Sequence, residues 1–276
     1  MTLSWKALAR KLLPLAWREW WRQRFGWKWF RGDCADWREA LAQSKGYADQ
    51  AGISRVVDAA RAVRSGRASW DRDGALFFTP SAHQPLLEAL LAVAAENAGR
   101  LAVLDFGGAL GSTWWQHRGA LAGVVTGWRI VEQAALVEAG RREFSDAPLS
   151  FHASLGEATA AGPVHVLLLS SVLPYVESPP AILAEVAAHG FRHVVLDRTP
   201  FIKGGKTRLV VQTTPPALGG GSYPCWLFDR DSLLAPLMKD YEVVSEWPVE
   251  FDRVDASVSY RGMHLRRRSQ SPAQSA

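Results

Sequence analysis

Residues 101–111 read Leu-Ala-Val-Leu-Asp-Phe-Gly-Gly-Ala-Leu-Gly, an apolar run that delivers Asp105 into a glycine-rich turn. A second run, Trp128-Arg-Ile-Val, leads to Glu132, 21 positions past Gly111. Parallel strands bring their C-terminal residues to one edge of a sheet, and glycines let the backbone lie close to a ligand. A carboxylate about 20 residues past the last glycine is placed to bind two ribose hydroxyls. The pattern predicts an α/β sheet with a nucleoside-containing ligand at that edge.

The alternation continues along the chain. The sequence predicts strands at 101–105, 128–132, 149–152, 164–170 and 193–197, with crossovers at 112–122, 133–144, 154–161 and 179–189. Val164-His-Val-Leu-Leu-Leu169 is apolar almost throughout, as in parallel strands covered on both faces, and right-handed crossovers wind such strands into a doubly wound sheet. Upstream, helices are expected at Trp37–Ser44, with Asp36 and Glu39 spaced as a capping box, at Asp49–Val63 and at Pro85–Ala98, and a polar loop at Ser65–Gly74. Downstream, Gly204-Gly205, Pro215-Pro216 and Gly219–Gly221 predict a loop or lid over 201–228. A short helix over Ser232–Lys239 and an antiparallel hairpin from Tyr241–Phe251 and Ser257–Arg266 follow. The expected organisation is an arm at 1–31, a helical cap at 32–84, an α/β domain at 85–266 and a frayed tail at 267–276.

The spelling of the turn discriminates between ligands. A nicotinamide oxidoreductase places the first glycine of Gly-x-Gly-x-x-Gly where Phe106 stands, and does not need Asp105. An acidic residue followed by Gly-x-Gly-x-Gly is the habit of class I methyltransferases, which bind S-adenosylmethionine; this chain has Asp105, Gly107 and Gly111 but puts Ala109 at the middle glycine.

Several separated phrases point the same way. Asp105-Phe-Gly-Gly-Ala-Leu-Gly-Ser112-Thr-Trp-Trp-Gln116, Trp128-Arg-Ile-Val-Glu132-Gln133, Leu169-Ser-Ser-Val-Leu-Pro-Tyr175, Asp197-Arg-Thr-Pro-Phe201, Ser222-Tyr-Pro-Cys-Trp226 and Ser44-Lys-Gly-Tyr47 occur in this order. Across roughly residues 30–265 the chain resembles a bacterial family regarded as methyltransferases and found among surface-polysaccharide genes. The resemblance implies a Rossmann-like class I methyltransferase sheet, mostly parallel with a C-terminal antiparallel hairpin, and S-adenosylmethionine as cofactor. It implies that Gly107, Gly108 and Gly111 lie against the methionine part, that Ser112 opens a helix with free amides, that Asp105 orients the amino group and that Glu132, beside Gln133, holds the ribose diol. The adenine is expected near His152 and Ser154. The implied acceptor is a saccharide or lipid-linked glycan precursor.

Methyl transfer from a sulfonium is an in-line displacement, so the enzyme chiefly positions the acceptor and removes a hydroxyl proton. The candidates at the ends of the fourth and fifth strands are Ser170, Ser171, Tyr175, Asp197 and Arg198. His117 is either a base or a packing residue, and Asp197-Arg198 is either catalytic or an ion pair that fixes its loop. Tyr223 and Trp226 either stack on a sugar face or anchor the insert. A non-catalytic scaffold built on the same core is the alternative, and Ala109 gives it substance.

The net charge of +5 is concentrated at one end. Residues 1–31 hold eight basic residues against Glu19, a net +7, with six of the 13 tryptophans, while the remaining 245 residues sum to −2. Trp5, Leu8, Leu12 and Leu15 share one helical face until Pro14 interrupts the pattern, and a second amphipathic piece is expected from about Pro14 to Arg24. Such an arm fits three roles: a packed cap, contact with an anionic membrane surface, or attraction to nucleic acid or a protein partner. No nucleic-acid module follows, so nucleic acid is not expected. No run is long enough to cross a membrane, and Leu12–Trp17 is too short for a signal-peptide core. Cys34 and Cys225 have no metal-ligand or disulfide spacing, so no metal is expected. A cytoplasmic protein, peripheral at the inner membrane face if the arm binds lipid, is the expectation.

Overall fold

The computed structural model describes residues 29–44, 50–214, 221–249 and 257–269. The expected sheet is present. Strands β4 (Leu101–Phe106), β5 (Val125–Val131), β6 (Leu149–His152), β7 (Val166–Ser170), β8 (His193–Ile202), β11 (Tyr241–Pro248) and β12 (Val258–Arg267) form one seven-stranded sheet in the order β6-β5-β4-β7-β8-β12-β11. The first five are parallel, and β12 pairs antiparallel with both β8 and β11. The chain order runs outward from β4 in both directions. The gap between β4 and β7 is therefore the point where successive crossovers leave on opposite sides, and open α/β sheets bind ligands beyond the strand ends there.

Alternation along each central strand explains why the sheet is covered on both faces. Val103 on β4 with Val166 and Leu168 on β7 packs into one core cluster, together with Leu86, Leu90 and Val93. These last three lie on α3 (Gln84–Glu96). Leu104, Leu167 and Leu169 turn to a second cluster with Leu183 and Val186, both on α7 (Pro179–His189).

Upstream of the sheet lie β1 (Phe30–Cys34), α1 (Trp37–Ala42), α2 (Gln50–Arg64), β2 (Trp70–Arg72) and β3 (Ala75–Phe77). Asp36 caps α1 as expected, accepting from the Glu39 amide at 2.8 Å. Two expectations are corrected here. The 32–84 stretch is mixed, not purely helical, and 65–74 is not a plain loop, because β2 and β3 pair as a hairpin. Its turn holds Asp73 at φ 50° and Gly74 at φ 82°, the left-handed pair that suits the twist of a two-residue hairpin. Trp70 stacks on Phe77 with centroids 3.9 Å apart.

The 201–228 stretch is a larger correction. Strand β8 runs on to Ile202, and β9 (Arg208–Thr214) and β10 (Gly221–Leu227) join β1 in a second sheet of order β1-β9-β10. Gly204 and Gly205 stand outside the strands and Gly221 opens β10, whereas Leu209-Val-Val and Cys225-Trp-Leu are strand-forming and, apart from the half-buried Trp226, buried. Pro224 is tolerated because β10 is an edge strand. The tail expected from 267 begins later: Arg267 ends β12, and the Arg268 guanidinium donates to the carbonyls of Met238 and Lys239 at 2.9 Å. The arm lies outside the described residues up to position 28, as do the last seven residues.

In the middle of β8, a register shift sets Asp197 and Arg198 against the single residue Gly262 of β12. A bulge of this kind bends a strand and re-aims its side chains. Any Cβ at Gly262 overlaps the Trp247 indole, whose N–H donates to Asp197 Oδ1 at 3.2 Å. Gly262→Ala is expected to destabilise the protein by about 1–3 kcal/mol through overpacking, measured as a lower urea midpoint; an unchanged midpoint shows that the indole moves aside freely.

Candidate functional site

The C-terminal ends of β4, β5 and β7, with the bulge in the middle of β8, open into one cavity of about 670 Å³. Asp105, Gly107, Gly108, Ser112, Glu132, Gln133, Ser170, Tyr175, Arg198 and Tyr223 all line it. Asp105 is almost fully buried and accepts the Trp128 indole N–H at 3.0 Å. Burial raises its carboxyl, the Trp128 hydrogen bond offsets this only in part and the Glu132 charge adds to it, so the group titrates at about 7.

Glu132 follows the end of β5 and accepts the Gln133 amide at 2.7 Å and the Ala109 amide at 3.3 Å. By accessible surface it is only half-buried, yet it lies deep enough beneath its neighbours for burial to push its pKa up against those two bonds. The turn between the carboxyls is stripped of side chains for a steric reason. A Cβ on Gly107, at φ 75°, overlaps Val172, and one on Gly108 meets the Asp105 carboxyl carbon at 2.6 Å. Gly111, at φ 90°, precedes α4 (Ser112–Leu121) and does not line the cavity. Ala109 adopts φ 50°, so it takes up the left-handed conformation that a glycine there adopts at lower cost. Beyond Glu132 the wall is Val131, Leu136, Ala153, Ser154 and Leu155.

The β2–β3 hairpin closes the opposite side with Asp71, Arg72 and Asp73. Asp71 is buried, accepts the Ser112 hydroxyl at 3.2 Å and is raised by burial to about 6. Sequence reasoning missed these residues because 65–74 read as a loop; the Asp73-Gly74 pair, with Trp70 before it and the apolar Ala75–Phe77 after it, is the signal that identifies a hairpin.

The remaining candidates are placed as follows. The Tyr175 phenol donates to Gln212 Oε1 at 3.0 Å, meets Tyr223 edge-on at 5.3 Å between centroids, and is held protonated by burial well above its ordinary pKa. Asp197 does not line the cavity. It is fully buried and receives His83 Nε2 and the Trp247 indole on Oδ1, and the Ser170 hydroxyl and Arg198 Nε on Oδ2, at 3.1–3.2 Å. Burial works to raise its carboxyl, but the His83 bond and the Arg198 charge outweigh that and hold it at about 2. His117 is buried away from the cavity: Nε2 accepts the His83 amide at 3.0 Å, Nδ1 lies 2.8 Å from the Thr113 carbonyl, and burial lowers its pKa. His152 also lies outside, 3.0 Å from the Ser150 hydroxyl. Trp226 donates to the Val176 carbonyl and stacks on Trp37 at 6.4 Å, whereas Tyr223 faces the cavity.

No family model matches the chain, and no curated protein matches it. Among solved structures, it is similar to the N-terminal domain of EvdMO1 with S-adenosylhomocysteine bound, at 17% identity and a TM-score of 0.44, covering 76% of this chain and 97% of that one. It is also similar to the 1,6-didemethyltoxoflavin-N1-methyltransferase of Burkholderia thailandensis, at 19% identity and a TM-score of 0.42, covering 79% and 89%. A third is the N-methyltransferase NodS of Bradyrhizobium japonicum WM9, at 12% identity and a TM-score of 0.43, covering 67% and 87%.

Proposed function

We propose that this chain is an S-adenosylmethionine-dependent methyltransferase. The reading is carried by two carboxyls on neighbouring strand ends, Asp105 and Glu132, which open into one cavity across a turn where Gly107 and Gly108 leave no room for a Cβ. The residues fit the cofactor part by part. Glu132 has acceptor capacity beyond its two amide bonds for a ribose diol, Asp105 offers a carboxylate to the ammonium, and Leu136, Ala153, Ser154 and Leu155 form a largely apolar slot for adenine. Once bound, the cofactor supplies a sulfonium-activated methyl group.

The chain's own work is then positioning and exclusion of water. Tyr175 and Tyr223 wall the acceptor end, and Asp197 acts through Ser170, His83 and Arg198, since a carboxyl held at about 2 is a poor proton acceptor at neutral pH. His117 is assigned to holding the backbone of His83. We assign a saccharide or lipid-linked glycan hydroxyl as acceptor, in surface-polysaccharide synthesis; the resemblance of the separated sequence phrases and the paired tyrosines support this. The basic, tryptophan-rich residues 1–31 support contact with an anionic membrane surface. No helix among the described residues is long and apolar enough to cross a membrane.

Calorimetric titration tests the reading. S-adenosylmethionine and S-adenosylhomocysteine are expected to bind with dissociation constants on the order of micromolar, and no heat with either ligand from folded protein overturns it. One observation favours a non-catalytic scaffold as the second reading: His117, Tyr175 and Asp197 all have their polar atoms committed to protein partners. Product binding without transfer to any glycan acceptor selects that reading.

A further inference from the structure

Arg198 is the basic group most deeply enclosed at the cavity. It is 7% exposed, adopts φ 51° in the β8 bulge, and lines the cavity that Tyr175 and Tyr223 also line. Its Nε donates to Asp197 at 3.2 Å, and its two terminal nitrogens form no hydrogen bond among the described residues. That edge borders the cavity, where it can donate to a ligand from a setting largely shielded from water. Its planar fork matches the two oxygens of a carboxylate or phosphate. Asp197 cannot turn to meet that edge, because Ser170, His83 and Trp247 hold its oxygens in place. The network fixes the guanidinium rather than covering it.

Position separates this edge from the ribose contact at Glu132, while only β7 lies between it and Asp105, whose carboxyl its charge helps to lower. Arg198 stands on β8, with β7 and β4 between it and β5, which leads to Glu132. We infer that Arg198 forms an oxyanion-binding subsite that selects an acceptor carrying a carboxylate or phosphate group. The inference rests on the methyltransferase reading for the identity of the acceptor, while the anion site itself stands on the bulge, the burial and the uncovered fork.

The test uses the full chain and its Arg198→Gln and Arg198→Lys variants, with glucuronate and inorganic phosphate as probes, glucose as the neutral control, and titrations with and without S-adenosylhomocysteine. Both anions are expected to bind the parent protein, to weaken at least tenfold in Arg198→Gln and to recover in part in Arg198→Lys, while glucose does not bind. S-adenosylhomocysteine and 5′-methylthioadenosine, which lacks the amino-acid end, are expected to keep their affinities for Arg198→Gln within about twofold, which also shows that the variant is folded. Anion binding that survives in Arg198→Gln, or parent protein that binds neither anion, overturns the inference. A selective loss of S-adenosylhomocysteine over 5′-methylthioadenosine overturns it too, because the oxyanion is then the cofactor's own. Arg198-dependent anion binding by a protein that ignores S-adenosylhomocysteine upholds the subsite and removes the methyltransferase reading.

Discussion

Glu132→Gln is expected to weaken S-adenosylhomocysteine binding about 100-fold or more with little change in stability. The carboxylate spends two acceptor positions on the Ala109 and Gln133 amides, and an ionised carboxylate has about four. The two that remain match a ribose diol. Charge-assisted hydrogen bonds contribute about 1.5–3 kcal/mol each, so converting both hydroxyl contacts costs about 3 kcal/mol at least, and about 1.4 kcal/mol is tenfold in affinity. Glutamine keeps the volume and still accepts one amide, but its NH₂ replaces an acceptor with a donor that one hydroxyl must turn to meet. S-adenosylmethionine and S-adenosylhomocysteine share the ribose and differ at sulfur, so both should weaken by the same factor. Calorimetry on the parent and variant reads this directly. Unchanged affinity places the ribose elsewhere; a loss confined to one of the two ligands ties Glu132 to the sulfur end instead.

The parallel sheet was legible because its determinants are local and repeated. Apolar runs of four to seven residues, each ending at a polar residue, allow few other assemblies, and strand ends shifted by at most three positions except at β8, which runs five residues further. What escaped was structure whose cause lies in tertiary pairing. Leu209-Val-Val and Cys225-Trp-Leu were hidden by the glycines and prolines around them, and they become strands because β1, from distant sequence, pairs with β9. Asp71 and Asp73 reach the cavity only because Asp73-Gly74 reverses the chain there. His117, Asp197 and Trp226 are candidates by chemical type alone. Type does not reveal that each has its hydrogen-bonding atoms occupied by neighbours such as His83, Trp247 and the Val176 carbonyl. Asp105 and Glu132 were legible because a strand end fixes where a side chain can go.

Asp105→Asn is expected to make the ligand-free protein more stable at pH 8 while sharply weakening cofactor binding. The folded protein holds the Asp105 proton up to about pH 7, against an ordinary value of 3.8. Between about pH 4 and 7 the folded state therefore binds a proton that the unfolded state has released. Stability from this group is greatest below that window and falls as pH rises through it. A shift of about 3 units, at about 1.4 kcal/mol per unit, sets an upper bound of about 4 kcal/mol on the cost of the ionised carboxylate above pH 7. Asparagine removes the charge, and its Oδ1 can still accept the Trp128 indole N–H that the carboxylate accepts at 3.0 Å. The parent and variant should have urea midpoints that separate most at pH 8, draw closer as pH falls through about 7, and converge below about pH 4, where the unfolded parent is protonated as well. Binding runs the other way. An ammonium group favours the ionised carboxyl, so affinity of the parent for S-adenosylhomocysteine should rise with pH through about 7, with a proton released on binding, and the variant should lose both the rise and the release. A variant that is less stable at pH 8, or that binds with the parent's pH dependence, shows that Asp105 serves the packing of the turn and not the ligand. Stability given up at one buried carboxyl, and recovered only when a cation arrives, is the physical mark of a binding residue.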